Sequence, residues 1–88
     1  MALLMSRTFN AVAGRTYISM TGTGIGLNRI VCVKREGTQY DKVLNASIND
    51  GVTRQWALDA INQRIKFPTA IPFNSGEKVF VIYKTVAL

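Results

Sequence analysis

Apolar and polar residues alternate along much of the chain, with the period of two that a half-buried β-strand shows. The stretch "RTYISM" (15–20) is an example, because it places Ile18 and Met20 on one side and Tyr17 and Ser19 on the other. The glycine-rich "TGTGIGLN" that follows is typical of a loop. A strand followed by an open loop is therefore the first predicted element.

The second predicted element is a hairpin. The run "RIVCVKR" is rich in β-branched residues, and "TQYDKVL" resumes the strand pattern after Glu36 and Gly37. The glycine supplies the left-handed backbone that a tight hairpin turn needs. We predict that residues 29–34 pair with residues 38–44. A loop is expected next, at 45–51, since its Asn-Asp-Gly sequence is turn chemistry.

The segment "VTRQWALDAINQRIKF" (52–67) fits two secondary structures. A helix would align Leu58 and Ile65 on one face, and the local helix propensity is good. Two strands would turn Trp56 inward on the first and Phe67 inward on the second. We favour the two strands, because a lone helix would need a second layer in a very small domain.

The chain closes with a turn and an apolar strand. Pro68 and Pro72 limit hydrogen bonding in "FPTAIPF", which predicts an extended connection or a sheet edge. The sequence "NSGE" (74–77) predicts the last turn, and "KVFVIYKTV" the last strand. Both faces of this strand are apolar, with Val79, Val81 and Tyr83 on one and Phe80, Ile82 and Val86 on the other. We expect it to be covered on both sides.

Together these elements predict an all-β fold of about six strands, either a small antiparallel sandwich or a partly closed barrel. The chain is expected to be a single β domain spanning residues 1–88, with residues 1–12 as a possible extended N-terminal arm. Leu3, Leu4 and Met5 would be buried if this arm packs on a neighbouring subunit. The alternative is that the segment forms the first strand of the same sheet.

The chain carries a large excess of positive charge. Eleven Lys and Arg residues against five Asp and Glu residues give a net charge of +6. Such an excess favours an acidic protein surface or a nucleic acid as partner, or serves only to solvate the surface. The cations are scattered, with no run longer than Lys34-Arg35, which weakens the nucleic-acid interpretation. The longest uncharged stretch, 16–28, is short and broken by glycines, so we expect no membrane span.

The residues that carry most catalysis and metal binding are missing from the sequence. There is no histidine, and the single cysteine, Cys32, lies in an apolar run that suggests a core position. The loop "GTGIG" lacks the spacing and the downstream helix of a phosphate-binding loop. The five acids lie near turns or basic neighbours and are expected to be solvated: Glu36, Asp41, Asp50, Asp59 and Glu77. We expect no catalytic residue, no cofactor and no metal site.

Two segments resemble a known group of proteins. In "RIKFPTAIPFNSGEKVFVIYK" (64–84), a short I-x-F strand leads through a P-F loop into G-E-x-V-x-V-x-Y. This pattern resembles the C-terminal hairpins of small β domains in virion proteins of tailed bacteriophages. The earlier "VKREGTQYD" has the same character of strand, acidic glycine turn and return strand. The resemblance covers about half of the chain.

The resemblance implies a structural protein without enzymatic activity: a head-decoration or cement protein, or a small fibre or tail component. Such a protein would be made in the host cytoplasm and reside in the virion. It would work as a homo-oligomer bound to other virion proteins, such as the major capsid protein. The residues that we expect at its interfaces are Leu3, Leu4, Met5, Arg7, Phe80, Ile82 and Val86.

Two other functions stay open at this point. A single-stranded nucleic-acid-binding β-barrel would interleave aromatic platforms with cations. Its contacts would be Tyr40, Lys42, Arg54, Trp56, Tyr83 and Lys84. A small regulator that adds its last strand to the sheet of another protein also fits the composition.

Overall fold

The computed structural model describes residues 3–85, which form eight β-strands and two short 3-10 helices. The strands are β1 (Leu4–Asn10), β2 (Tyr17–Ser19), β3 (Ile30–Arg35), β4 (Thr38–Gln39), β5 (Asp41–Val43), β6 (Gln55–Asp59), β7 (Arg64–Lys66) and β8 (Lys78–Lys84). The 3-10 helices are Leu27–Arg29 and Asn45–Ser47. The all-β prediction is confirmed, with eight strands in place of about six.

The strands form two four-stranded sheets that share one hydrophobic core. Sheet A has the order β1-β8-β3-β4, and sheet B has the order β2-β7-β6-β5. All neighbours are antiparallel except β5 and β6, which run parallel, so the expectation of purely antiparallel pairing was wrong there. The buried core side chains come from both sheets and their loops: Ile18, Met20, Ile25, Ile30, Val33, Trp56, Ile65, Phe67, Phe73, Val79 and Val81.

The predicted hairpin is correct at its turn and wrong beyond it. Glu36 and Gly37 both have positive φ, 48° and 83°, as a tight hairpin turn requires. The return strand nevertheless leaves β3 after Tyr40, whose N–H still donates to the carbonyl of Val33 at 3.1 Å. The N–H of Asp41 then donates to the carbonyl of Arg54 at 2.8 Å, which begins the parallel pairing of β5 with β6 in the other sheet.

The ambiguous segment 52–67 forms two strands, as favoured. β6 and β7 pair antiparallel across a turn that ends at Gln63, whose φ is 51°. Trp56, Ile65 and Phe67 are buried in the core. The burial of both strands against sheet A overrides a local helix propensity that is only moderate.

The N-terminal segment is a strand and not an extended arm. β1 pairs antiparallel with β8 along its whole length, from Leu4 opposite Lys84 to Asn10 opposite Lys78. β8 therefore lies between β1 and β3, inside sheet A. The expectation that β8 is covered on both faces is met only on the core side among the described residues. On the core side Val79 and Val81 are buried, and on the other side Phe80 is half-buried.

Candidate interface on sheet A

The outer face of sheet A points away from the core and has a distinctive composition. Side chains on β8 alternate between the core and this face, and the strand register adds the matching residues of β1 and β3. We call this set the cationic face: Leu4, Ser6, Thr8, Asn10, Cys32, Lys34, Lys78, Phe80, Ile82 and Lys84. The register places Phe80 between Thr8 and Lys34. It places Ile82 between Ser6 and Cys32.

The cationic face combines an apolar centre with lysines at its margin. Phe80 and Ile82 are half-buried by their neighbours, whereas Leu4 is 64% exposed. Lys78 and Lys84 lie at the two ends of β8, and the Nζ of Lys78 donates to Oδ1 of Asn10 at 2.6 Å. Cys32 is half-buried here and is not a core residue, because a bulge next to Ile30 shifts the register of β3.

The strands of this face carry no acidic side chain. The nearest acid at its margin is Glu36, in the β3–β4 turn, which accepts the backbone N–H of Lys78 at 2.7 Å. Within residues 3–85 the only ion pairs are Arg35 with Glu77 and Arg64 with Asp59. The lysines of the cationic face therefore have no ion-pair partner among the described residues, so their charges are available to an acidic partner.

β1 adds exposed apolar surface beside the cationic face. Leu3 is 62% exposed and Met5 is 46% exposed. Arg7 lies on the opposite face of β1 from Leu4, and its Nη1 donates to the carbonyl of Thr23 at 2.7 Å. The seven predicted interface residues thus fall into two sets around β1. The first set, Leu4, Phe80 and Ile82, lies on the cationic face. The second set, Leu3, Met5 and Arg7, lies on the other side of β1 and at its N-terminal end. Val86 lies outside the described residues.

The residues expected for nucleic-acid binding divide between the two sheets. Tyr40, Lys42, Arg54 and Trp56 meet near the β5–β6 pair, whereas Tyr83 and Lys84 lie on opposite faces of β8. Trp56 is only 1% exposed, and its Nε1 donates to the carbonyl of Tyr40 at 3.1 Å. A base cannot stack on a ring that the core already covers.

The expectation that Glu77 and Asp59 are solvated was wrong, and Glu77 forms a buried cluster with Arg35. Arg35 is 6% exposed and Glu77 is 5% exposed. The guanidinium donates from Nε to Oε2 of Glu77 at 2.5 Å and from Nη2 to Oε1 at 3.1 Å. Its Nη1 donates to the carbonyl of Ile71 at 2.8 Å. This bidentate pair ties the end of β3 to the loop that precedes β8.

Aromatic rings enclose the Arg35 guanidinium. Its Cζ lies 4.7 Å from the ring centroid of Phe73, 5.1 Å from that of Phe67 and 5.4 Å from that of Tyr40. The rings exclude water while their faces attract the cation. We call Arg35, Glu77 and these three rings the Arg35 cluster. In the sequence, Arg35 and Glu77 each lie beside a turn, in "KREG" and in "SGEK". Neither segment reveals that the two residues meet.

A smaller polar cluster lies on sheet B. Arg64 Nε donates to Oδ2 of Asp59 at 3.0 Å, and Asn62 Nδ2 donates to the same oxygen at 2.9 Å. The Arg64 guanidinium lies 4.5 Å above the Tyr17 ring, and Arg15 lies 5.5 Å from that ring. These contacts close the β6–β7 turn and attach it to β2, so we assign them a structural role.

We expect the protein to lose stability in acid because of these carboxylates. The hydrogen bond from Asn62 is the main cause that lowers the pKa of Asp59 below its ordinary 3.8. Burial raises the pKa of Glu77, but the hydrogen bonds from Arg35 and Asn74 and the Arg35 charge outweigh it, so the pKa lies below 4.5. A carboxyl whose pKa is lower in the folded state than in the unfolded state stabilises the fold at pH values above its unfolded-state pKa. This contribution disappears as the pH falls through its folded-state pKa.

The measurement is urea denaturation followed from neutral pH to below the ordinary pKa values of the two carboxyls. The free energy of unfolding should be constant near neutrality and should fall steeply in acid. The Glu77→Gln variant serves as the control, because its acid loss should be shallower than that of the wild type. An unchanged free energy of unfolding through this acid range would contradict the lowered pKa values of Asp59 and Glu77.

The described residues show no other site of recognisable chemistry. Residues 3–85 contain no group of three or more His, Cys, Asp and Glu side chains placed to hold a metal ion, and no pocket opens between them. Nor does this part of the chain contain a helix long and apolar enough to cross a membrane. The cationic face, with the β1 edge beside it, is therefore the candidate functional surface.

Comparison of the chain with protein-family models, with curated proteins and with solved structures gave no match.

Proposed function

We propose that this chain is a non-enzymatic structural protein of a bacteriophage particle, a small β-sandwich that binds an acidic surface of another virion protein through its cationic face. The observation that carries this proposal is a sheet face with an apolar centre, three lysines and no acid on its strands. A capsid decoration or cement protein, bound to the major capsid protein, is the particular role that we infer.

The composition of the face supports a protein partner. Protein interfaces combine an apolar centre with a polar margin. The centre here is formed by Phe80 and Ile82, and Leu4 adds apolar surface at the edge. The lysines steer an acidic partner toward the face and favour it over a basic one. A single-strand binder would instead need several exposed aromatic rings on one surface, and this face offers Phe80 alone.

The virion part of the proposal is supported by the sequence resemblance. The two segments that carry it contain the β3–β4 turn and the chain from β7 to β8. Both segments contribute to sheet A, whose outer face is the proposed contact surface. A decoration protein needs an exposed surface for its partner, and the outer face of sheet A supports this role.

Co-sedimentation with capsids of the phage that encodes the chain tests this function. Capsids that lack the protein are mixed with the wild type or with the Lys34→Glu/Lys84→Glu variant. The variant should bind at least about tenfold more weakly, since two attractive charges become repulsive. Binding of the wild type should weaken as salt is added.

The matched control is Lys42→Glu/Arg54→Glu, which makes the same change in net charge near β5 and β6. It should bind capsids like the wild type. Equal losses in both variants, or a wild type that does not sediment with capsids, would overturn the proposal. A labelled oligo-dT forms the second arm, and tight binding that the control variant loses would identify the protein as a nucleic-acid binder.

A further inference from the structure

The edges of the two sheets differ sharply in length. Four strands lie at edges: β4 with two residues, β2 and β5 with three each, and β1 with seven. Proteins prevent unwanted strand pairing by short edges, prolines, lysines or bulges. β1 is long and regularly paired, and it contains neither proline nor lysine. Its one charged side chain, Arg7, donates to the carbonyl of Thr23. Among the described strands β1 is therefore the longest edge that is open to another strand.

The hydrogen-bonding groups of β1 are arranged for such pairing. The N–H of Ala11 donates to the carbonyl of Glu77, and the N–H of Thr85 donates to the carbonyl of Leu3. Odd-numbered positions of β1 thus exchange hydrogen bonds with β8. The N–H and C=O groups of the even-numbered positions point to the open side, because these directions alternate along an antiparallel strand.

We propose that β1 pairs antiparallel with β1 of a second copy, about a two-fold axis that is perpendicular to the sheet and centred on Ser6. The two copies form one continuous eight-stranded sheet. The inference rests on the assembly role in the proposed function and deepens it by naming the partner of this edge.

The side chains select the register. Pairing of even positions with even positions allows symmetric registers centred on Met5, Ser6, Arg7 or Thr8. The register centred on Arg7 places two arginines directly opposite each other, and like charges there are destabilising. The register centred on Met5 pairs only three residues of each β1 strand. The register centred on Thr8 places Leu3 opposite Ala13, beyond the end of β1, so Leu3 would stay uncovered.

The Ser6-centred register uses the exposed apolar side chains. Leu3 of one copy lies opposite Phe9 of the other, and Met5 lies opposite Arg7. Leu3 and Met5 are the exposed apolar residues on that side of β1, and this pairing covers them. A second copy of the chain is the partner because β1 is complementary to itself in this register.

The symmetry connects the dimer to the cationic face. A two-fold axis perpendicular to the sheet keeps both outer faces on the same side, so a dimer presents two cationic faces to one acidic surface. The strand edge is only about 24 Å long. A single pair of strands of this length buries less surface than a stable interface does. The dimer is therefore weak in solution and becomes strong when a shared surface holds both copies.

Disulfide trapping tests the pairing and its register. In a Cys32→Ala background, Ser6→Cys should form a cross-linked dimer under mild oxidation. Opposite residues of a hydrogen-bonded pair have Cα atoms about 5.5 Å apart, which a disulfide spans. Thr8→Cys is the matched control, because its two copies would lie about 14 Å apart and should stay monomeric. A dimer that forms through Thr8→Cys in preference would overturn the register.

Sedimentation equilibrium tests the dimer without cysteines. The average mass of the full chain should rise with concentration, and Ser6→Lys should weaken self-association at least about tenfold. Gln39→Lys, which adds the same charge at the other edge of sheet A, should leave it unchanged. A monomer at every concentration, with no cross-link from Ser6→Cys, would overturn the proposal.

Salt dependence separates this inference from the proposed function. Both copies carry an excess of positive charge, so added salt should strengthen the dimer while it weakens binding to capsids. Capsid binding that persists without Ser6→Cys cross-linking overturns the dimer alone. Dimers that form without capsid binding overturn the proposed function alone.

Discussion

Replacing Arg35 by methionine should lower the free energy of unfolding by about 3–5 kcal/mol, because it leaves the Glu77 carboxylate buried without its cation. The carboxylate would keep the N–H of Asn74, at 3.0 Å, but would lose both bonds from the guanidinium. The carbonyl of Ile71 would lose its donor as well. Urea denaturation measures the change, with the single tryptophan as a fluorescent probe in the core.

Two further variants make this prediction specific. Arg54→Met removes an exposed arginine and should change the free energy of unfolding by no more than about 0.5 kcal/mol. The double variant Arg35→Met/Glu77→Leu should be more stable than Arg35→Met, because replacing both partners of a buried pair removes the unpaired charge. A loss below about 1 kcal/mol in Arg35→Met would contradict the role of the pair.

The second large effect is expected at Trp56. Trp56→Ala should destabilise the fold by about 3–5 kcal/mol, since it opens a cavity where a ring packs against both sheets. Trp56→Phe should cost less, about 1–3 kcal/mol, mainly because the carbonyl of Tyr40 loses the bond from Nε1. Circular dichroism follows the unfolding, as the fluorescent probe is removed in both variants.

The control for this pair is Ile61→Ala. Ile61 lies in the β6–β7 turn and is 92% exposed, so the change should stay within about 0.5 kcal/mol. Similar losses in Ile61→Ala and Trp56→Ala would contradict the assignment of Trp56 to the core. Because Trp56→Ala destabilises the fold, a loss of nucleic-acid binding in this variant would report unfolding. The Lys42→Glu/Arg54→Glu variant tests nucleic-acid binding directly.

The Arg35 cluster and the cationic face both depend on the alternation of side chains along β3. Arg35 and Lys34 are neighbours on β3, with alternate directions, so one enters the core while the other reaches the outer face. Glu77, which Arg35 binds, directly precedes Lys78 and β8. The buried pair therefore fixes the two strands that carry the lysines and the apolar centre of the face.

Much of the fold was accessible from local patterns. The alternation at Tyr17–Ser19, the Glu36-Gly37 turn and the two strands within 52–67 were predicted correctly. These features depend on neighbouring residues alone, on strand periodicity and on which residues accept positive φ. The N-terminal segment was left open between an arm and a strand, since nothing local states which sheet a strand joins.

The buried ion pair and the parallel strand were not accessible in this way. A lone arginine beside a turn is usually solvated, and the residues that enclose Arg35 come from positions 40, 67, 73 and 77. The departure of β5 to sheet B depends on backbone bonds to residues far along the chain, such as the carbonyl of Arg54. Pairing of this kind has no signature in a single sequence.

The sequence by itself determined that this chain is built from β-strands, lacks histidine and carries a large positive charge, because each of these is a property of composition or of short-range periodicity. Only the tertiary structure decided that three lysines gather on one face of sheet A and that β1 forms its long open edge. It also decided that Arg35 is buried with Glu77. These results depend on which strands become neighbours, and that choice is made by packing between residues distant in the chain.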